Sequence, residues 1–287
     1  MSTEQAWDIA AAGWNNHAGL IHQWLAAATQ MMLEEAQIHL GSRVLDIAAG
    51  AGDQTLDVAR LVGPKGEVLA VDISPAILAL AKINVEIAGF DQVRVQVADA
   101  ESLNLAGENF DAAVCRLGLM FCRSPAKALN EIQTALKPAG RLSVLVFSEP
   151  AQNPCLAIAL RTAYNHLQGS NKTAVFNQPT CEPGSLMSLG KPGLINEFIQ
   201  AAGFVDIKVN RISAPFFAPS VEHYIAFLQS AASPVKEILK PLSDVAQRNA
   251  WLDMTEQLRI FSSTSGWDGP NELLLASATS GRRVSSL

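Results

Sequence analysis

The sequence predicts an α/β protein built on a doubly wound, mostly parallel sheet, and three observations carry that expectation. The apolar run Val44-Leu45-Asp46-Ile47-Ala48-Ala49 ends in the turn Gly50-Ala51-Gly52-Asp53, after which the pattern becomes helical. Glycine in such a turn lets a ligand approach the main chain more closely than a β-carbon would allow. Two further short strands also end in acids, Glu67-Val68-Leu69-Ala70-Val71-Asp72 and Val93-Arg94-Val95-Gln96-Val97-Ala98-Asp99. Asp46, Asp72 and Asp99 stand 26 and 27 residues apart, close to the roughly 30 residues of a βαβ unit. Right-handed crossovers then bring all three carboxylates to one edge of one sheet.

Each element follows from local pattern. Leu20, Ile21, Trp24, Leu25, Met31, Met32 and Leu33 give residues of about 17–39 a helical period, read as an N-terminal flap before the sheet. From Arg43 to Phe147, helices near 53–62, 75–88 and 125–136 separate strands near 43–48, 67–71, 93–97, 110–115 and 140–147. Ser74-Pro75 is an N-cap followed by proline at the first helical position. Lys137-Pro138-Ala139-Gly140 stops a helix and turns the chain into the fifth strand. Beyond Pro150, a helical run from Leu156 to Leu167 is mixed with Gly, Ser, Asn and Pro, which reads as an insertion above the carboxyl edge. A helix at 193–202, a sixth strand at 203–209, a helical section at 221–262 and a closing strand at 272–278 complete the chain. The expected organisation is a single domain, 1–287, with a helical flap at 1–40, a ligand-binding core at 41–150, and lid or substrate insertions at 151–192 and 215–265.

Composition narrows the partners. With 287 residues and 49% hydrophobic content the chain can bury a large core, and no break in composition calls for a second domain. A net charge of −6 without any Lys/Arg cluster argues against nucleic acid and for a small or neutral partner. No apolar run is long enough to span a bilayer, and residues 1–30 lack the pattern of a secretory signal, so the expected location is cytosolic. Cys115, Cys122, Cys155 and Cys181 form no CxxC pair and have no histidine at ligand spacing, so reduced, buried thiols are expected rather than a metal site.

Taken together, Asp46-Ile47-Ala48-Ala49-Gly50-Ala51-Gly52-Asp53, Val71-Asp72-Ile73-Ser74, Asp99-Ala100-Glu101, Asn109-Phe110-Asp111 and Leu136-Lys137-Pro138-Ala139-Gly140-Arg141-Leu142 resemble the class I S-adenosylmethionine-dependent methyltransferases in order and spacing. Ala48, Asp53 and the ending Val144-Leu145-Val146-Phe147-Ser148-Glu149-Pro150 are most similar to the branch of ubiquinone/menaquinone-biosynthesis C-methyltransferases. The likeness covers about residues 40–150. It implies a Rossmann-like sheet of seven strands whose last strand is antiparallel, with S-adenosyl-L-methionine as cofactor.

The resemblance also implies roles. Main-chain groups of Ala48, Ala49 and Gly50, with Gly52, would hold the methionine tail; Asp72 would accept from both ribose hydroxyls, having two oxygens for two adjacent donors. Ile73 would pack on the adenine, Asp99 accept from its amino group and the Ala100 N–H donate to a ring nitrogen. Arg116 and Leu117 would line the methyl-transfer side, and Trp14 would close over the tail. Other readings stay open at several of these positions. Asp46 either touches ligand or organises the turn, Asp72 and Asp99 can serve as helix caps, Arg116 can pair with an acid, and Trp14 can be an apolar anchor.

Two competing functions share the fold class. A nicotinamide or flavin dinucleotide enzyme needs a third small residue where this chain has Thr55, and Asp53 puts negative charge where pyrophosphate would sit. A non-catalytic cofactor-binding protein is the other. For methyl transfer the expected acceptor is a small, largely apolar molecule methylated on carbon or oxygen, since 150–192 and 215–265 are rich in Leu, Ile, Phe, Ala and Pro. His17, His22, His166 and His223 qualify as proton acceptors by position alone, and no catalytic residue is assigned.

Overall fold

In the computed structural model, residues 2–169, 183–231 and 233–281 are described. Helices α1 (Thr3–Asn16) and α2 (Ala18–Glu35) come first. The alternating core then runs β1 (Arg43–Ile47), α3 (Asp53–Val62), β2 (Glu67–Asp72), α4 (Pro75–Ala88), β3 (Val93–Val97), β4 (Phe110–Arg116), α5 (Pro125–Ala135) and β5 (Leu136–Phe147). Helices α6 (Pro154–Gln168) and α7 (Leu194–Ala201) lead to β6 (Phe204–Ser213) and β7 (Phe216–Ala218). Helices α8 (Val221–Ala231), α9 (Ser233–Leu239) and α10 (Asp244–Leu258) follow, and β8 (Ser262–Ser263), β9 (Gly266–Gly269) and β10 (Glu272–Ser280) close the chain.

Seven strands form one sheet in the order β3-β2-β1-β4-β5-β10-β6. All pairings from β3 to β5 are parallel, and β10 runs antiparallel to both β5 and β6. This is the expected doubly wound, Rossmann-like sheet with an antiparallel last strand. Chain order reverses between β1 and β4, so the carboxyl ends of those strands bound the crevice in which such sheets place ligands. Burial fits the position of each strand: β1, β2 and β4 are covered on both faces, whereas β3, at the edge, is half exposed.

Local chemistry fixes the ends of the helices. Ser74 caps α4 by accepting from the Ile77 N–H at 3.1 Å, with Pro75 at the first position, and Gly89 ends the helix in a left-handed conformation. The Lys137–Gly140 turn survives inside β5 as an irregularity: Phe110 pairs with Leu136 and Ala112 with Arg141, so the extra residues bulge out and the strand then pairs regularly.

Three segments differ from the sequence reading. The first forty residues contain two helices; α2 buries Ile21, Leu25 and Met32 against the sheet and belongs to the core, leaving α1 as the only flap. Residues 221–262 break into α8, α9 and α10, because Pro234 and Pro241 interrupt the helical ladder. A small sheet, β7-β9-β8, lies beside them and buries Trp267, whose Nε1 donates to the Leu258 carbonyl at 2.8 Å. Part of the expected 151–192 insertion, and Cys181 with it, lies outside the described residues.

Candidate functional site

The floor of the site is the turn after β1. Ala48, Gly50 and Gly52 all have positive φ, at 55°, 58° and 89°. Ala48 holds this conformation with a side chain, and the space for it comes from Gly118, after β4: a β-carbon on Gly118 would lie 2.2 Å from that of Ala48. The two strand ends thus meet through small residues at the point where the sheet order reverses.

Two expected ligand contacts lie away from the cavity. Asp46 is fully buried beneath the turn, where Thr55 Oγ1 donates to it at 2.6 Å and the Gln54 amide donates to its other oxygen. Burial pushes this carboxyl up to about 7 against the pull of those hydrogen bonds. Of its two sequence readings, the structure selects the organiser. Gly52 starts α3, and a β-carbon there would lie 3.3 Å from Ala81, so this glycine lets α3 and α4 approach.

The other candidates surround a cavity of about 410 Å³ above the carboxyl ends, within the ~300–1,000 Å³ of small-molecule sites. Ala48, Ala49, Gly50, Asp72, Ile73, Asp99, Ala100, Arg116, Leu117 and Trp14 all line it. Asp72 is 8% exposed; its oxygens accept from the Gly50 and Ser74 N–H groups, each at 3.0 Å. Burial raises its proton affinity and these backbone donors lower it, the burial effect being larger. These backbone donors do not fill all the lone pairs of the two oxygens, so the carboxyl keeps acceptor capacity for further donors. Asp99 accepts from the Glu101 N–H at 2.8 Å and so caps a short turn at 100–102.

Arg116 is held in place by two partners, donating to Asp53 at 2.7 Å and to Thr29 Oγ1 at 2.9 Å. Asp53 also meets His22 Nδ1 at 2.9 Å. The negative charge expected to repel a pyrophosphate at the start of α3 is therefore offset by Arg116, a correction to the sequence argument. Thr55, where a dinucleotide turn needs a small residue, is fully buried and spends its hydroxyl on Asp46.

Helix α1 roofs the cavity. Asp8 reaches across to α4, accepting from the Ser74 hydroxyl and from the Ala76 N–H at 3.1 Å, while Asn15 accepts from Asn84 at 3.0 Å. Trp14 lies over Gly50, with its Nε1 3.6 Å from where a β-carbon on Gly50 would be. Trp7 packs edge-on against both Trp14 and Phe121 at ring separations of 5.8 and 5.2 Å. Trp24, from α2, stacks on Phe147 and donates to the Ala214 carbonyl at 2.8 Å. Trp24, Phe147, Phe227 and Leu156 make the part of the lining near β5 and α8 apolar, whereas Asp72, Asp99 and Glu101 make the part at the ends of β2 and β3 polar.

Among the described residues no histidine lines the cavity. His17 sits behind Phe227 and meets the Gly13 carbonyl at 2.9 Å; His166 faces Asp253 and His223 faces Ser220. Burial pushes Cys115 and Cys155 up to about 12, which leaves them protonated at neutral pH; Cys122 lines the cavity and is raised as well. Sequence reading missed Asp8, Gln54, Trp7, Phe121 and Gly118. The Ser2 and Gln5 capping box was the available signal for α1 and hence for its roof residues.

A family model described as a methyltransferase domain matches residues 38–184. The ubiquinone/menaquinone biosynthesis C-methyltransferase UbiE of Hahella chejuensis is 37% identical over 128 residues, 44% of this chain and 51% of that protein. The chain thus spans about half the length of this curated relative. Among solved structures, the YcgJ protein of Bacillus subtilis aligns with a TM-score of 0.61 at 18% identity, covering 90% of this chain and 100% of that one. Haemonchus contortus phosphoethanolamine N-methyltransferase 2, solved with phosphomonomethylethanolamine and S-adenosylhomocysteine, aligns with a TM-score of 0.56 at 17% identity, over 95% of this chain and 61% of that one. Likeness at these identities speaks for the fold alone.

Proposed function

From the premise that the chain belongs to the methyltransferase domain family, we propose that it transfers a methyl group from S-adenosyl-L-methionine to a small, largely apolar organic acceptor, on carbon or oxygen. The single observation carrying the cofactor assignment is Asp72, a buried carboxylate that lines the cavity with acceptor capacity to spare. Adjacent hydroxyls, as on a ribose, are the donors such a carboxylate suits. Ile73 and Ala100 would flank the base, and Asp99 keeps one oxygen beyond its capping bond for an exocyclic amine.

When bound, S-adenosylmethionine supplies a methyl group that is already electrophilic, so the protein's tasks are alignment and exclusion of water. The roof of Trp7 and Trp14 would close the polar half, and Trp24, Phe147 and Phe227 would hold the acceptor by its apolar faces. A lining without histidine favours acceptors whose attacking atom is an activated carbon or a readily ionised oxygen. Carbon methylation is what the Hahella relative's name specifies for that protein.

Titration calorimetry of the purified protein tests the reading. S-adenosylmethionine and S-adenosylhomocysteine should bind, and NAD should not; NAD binding without either of the others would overturn it.

A further inference from the structure

Gln54 lies at the second position of α3, almost wholly buried, and is one of the residues in the cavity wall. Its amide nitrogen donates to Asp46, yet its carbonyl oxygen Oε1 is buried without any hydrogen-bond partner. A buried acceptor left unpaired costs free energy unless something meets it. Asp46 explains the orientation: its Oδ1 accepts from the NH2 side of the amide, which turns the carbonyl the other way. Thr55 holds the opposite oxygen of Asp46 and so keeps that anchor in register.

The position of this acceptor along the sheet edge is informative. Asp99 follows the end of β3, Asp72 ends β2, and Gln54 follows the turn after β1, and these three strands are neighbours. Strand ends are spaced by ~4.8 Å, so Asp99 and Asp72 are neighbours on the edge, and Gln54 opens the helix that follows the next strand along. If Asp72 takes the ribose and Asp99 the base, Gln54 meets whatever the nucleoside carries on its other side.

We infer that Gln54 Oε1 accepts a hydrogen bond from the α-ammonium of the cofactor's amino-acid tail, with Asp46 as the positioning residue that aims it; this rests on the S-adenosylmethionine reading above. The acceptor is neutral and the ligand group cationic, and the Asp46 carboxyl behind the amide strengthens the carbonyl as an acceptor.

Calorimetry with S-adenosylhomocysteine, its analogue lacking the amino group, and 5′-methylthioadenosine, which lacks the amino-acid part, tests the assignment. Wild type should bind S-adenosylhomocysteine about ten- to a hundredfold more tightly than the deamino analogue. Gln54→Met should abolish that preference while leaving affinity for 5′-methylthioadenosine within about twofold. Thr55→Val, which removes one of the bonds that hold Asp46 in register, should shrink the preference without abolishing it. Equal binding of the two long ligands by wild type would overturn the assignment without any variant. So would a Gln54→Met protein that keeps the preference, or one that loses all three ligands alike while melting at the wild-type temperature. Failure of wild type to bind any of the three would overturn the cofactor reading itself.

Discussion

Arg116 and Asp53 form the tightest charged contact beside the cavity, 2.7 Å apart with side chains only 7% and 18% exposed. The pair joins the end of β4 to the first residue of α3 across β1, and Thr29 ties α2 to the same guanidinium. Removing one partner leaves a largely buried charge, which costs more than the pair contributes. Arg116→Met should therefore destabilise the fold by about 2–4 kcal/mol, and Asp53→Asn by less, since His22 and solvent reach Asp53. In chemical denaturation, the double variant should be clearly more stable than the sum of the single losses predicts. Strict additivity would mean that the pair carries no coupling.

Asp72 gives the direct test of nucleoside recognition. Asp72→Asn keeps the size of the side chain and one acceptor oxygen, but it loses the charge and sets its NH2 against one of the backbone N–H donors, so the melting temperature is measured alongside binding to show that the variant is folded. Affinity for S-adenosylhomocysteine should fall by about 2 kcal/mol, or roughly thirtyfold. Because the hydroxyls belong to the nucleoside, 5′-methylthioadenosine should weaken by the same factor, in contrast to the Gln54 variants. Unchanged calorimetric affinity for both ligands would remove Asp72 from the site.

The central part of this fold was legible because its signals are local. Each buried strand is a short apolar run ending in an acid or a glycine turn, and the Ser74-Pro75 cap and Gly89 stop are written in adjacent residues. Residues 40–150 needed no tertiary information. Helix α1 was not legible, since Trp7, Ile9, Ala10, Ala11, Ala12 and Trp14 spread around the helix instead of forming one stripe. Its partners are aromatic rings from distant segments, Phe121 and Phe227. The β7-β9-β8 sheet escaped notice because strands of two to four residues carry no period.

At the site the same division holds. The segments that line the cavity could be named from motif order, but the job of each acid depends on what folds against it. Asp46 and Asp72 look alike as strand-end acids. One is roofed by Gln54 and Thr55 and the other opens on the cavity, a difference set by the side chains at the start of α3. Gln54 itself carries no signal until Asp46 is seen to orient it.

Helix α1 should behave as a separable roof. Its hold on α4 runs through Asp8, which takes the Ser74 hydroxyl and the Ala76 N–H at the helix start. Asp8→Ala should cost about 1 kcal/mol, as for loss of a helix cap. Amide exchange should quicken over Thr3–Asn16 while β1, β2 and β4 keep their protection. Dissociation of S-adenosylhomocysteine, followed by stopped flow, should be faster in this variant. An unchanged exchange pattern would show that the aromatic contacts of Trp7 and Trp14 seat the helix unaided.

Asp46 makes stability depend on pH in an unusual direction for an aspartate. Its carboxyl is raised from the usual 3.8 to about 7 in the folded protein, first by burial and further by the negative charge of Asp72. Below pH 4 the group is protonated in both folded and unfolded chains, and its contribution is fully present. Between about pH 4 and 7 the unfolded chain loses the proton while the folded one keeps it, so stability drains away as pH rises, and the loss is complete above about 7. A shift of this size corresponds to about 4 kcal/mol at most. Asp46→Asn removes the ionisation and keeps a polar partner for Gln54 and Thr55. Urea denaturation from pH 4.5 to 8 should show the variant gaining on wild type steadily up to about pH 7 and holding a constant difference beyond it. Asp72, also raised by burial, is coupled to Asp46 through its charge, so the difference between the two curves reports the ionisation of Asp46 together with its effect on Asp72. A difference that stays flat across the range would mean that Asp46 is ionised in the folded protein throughout it.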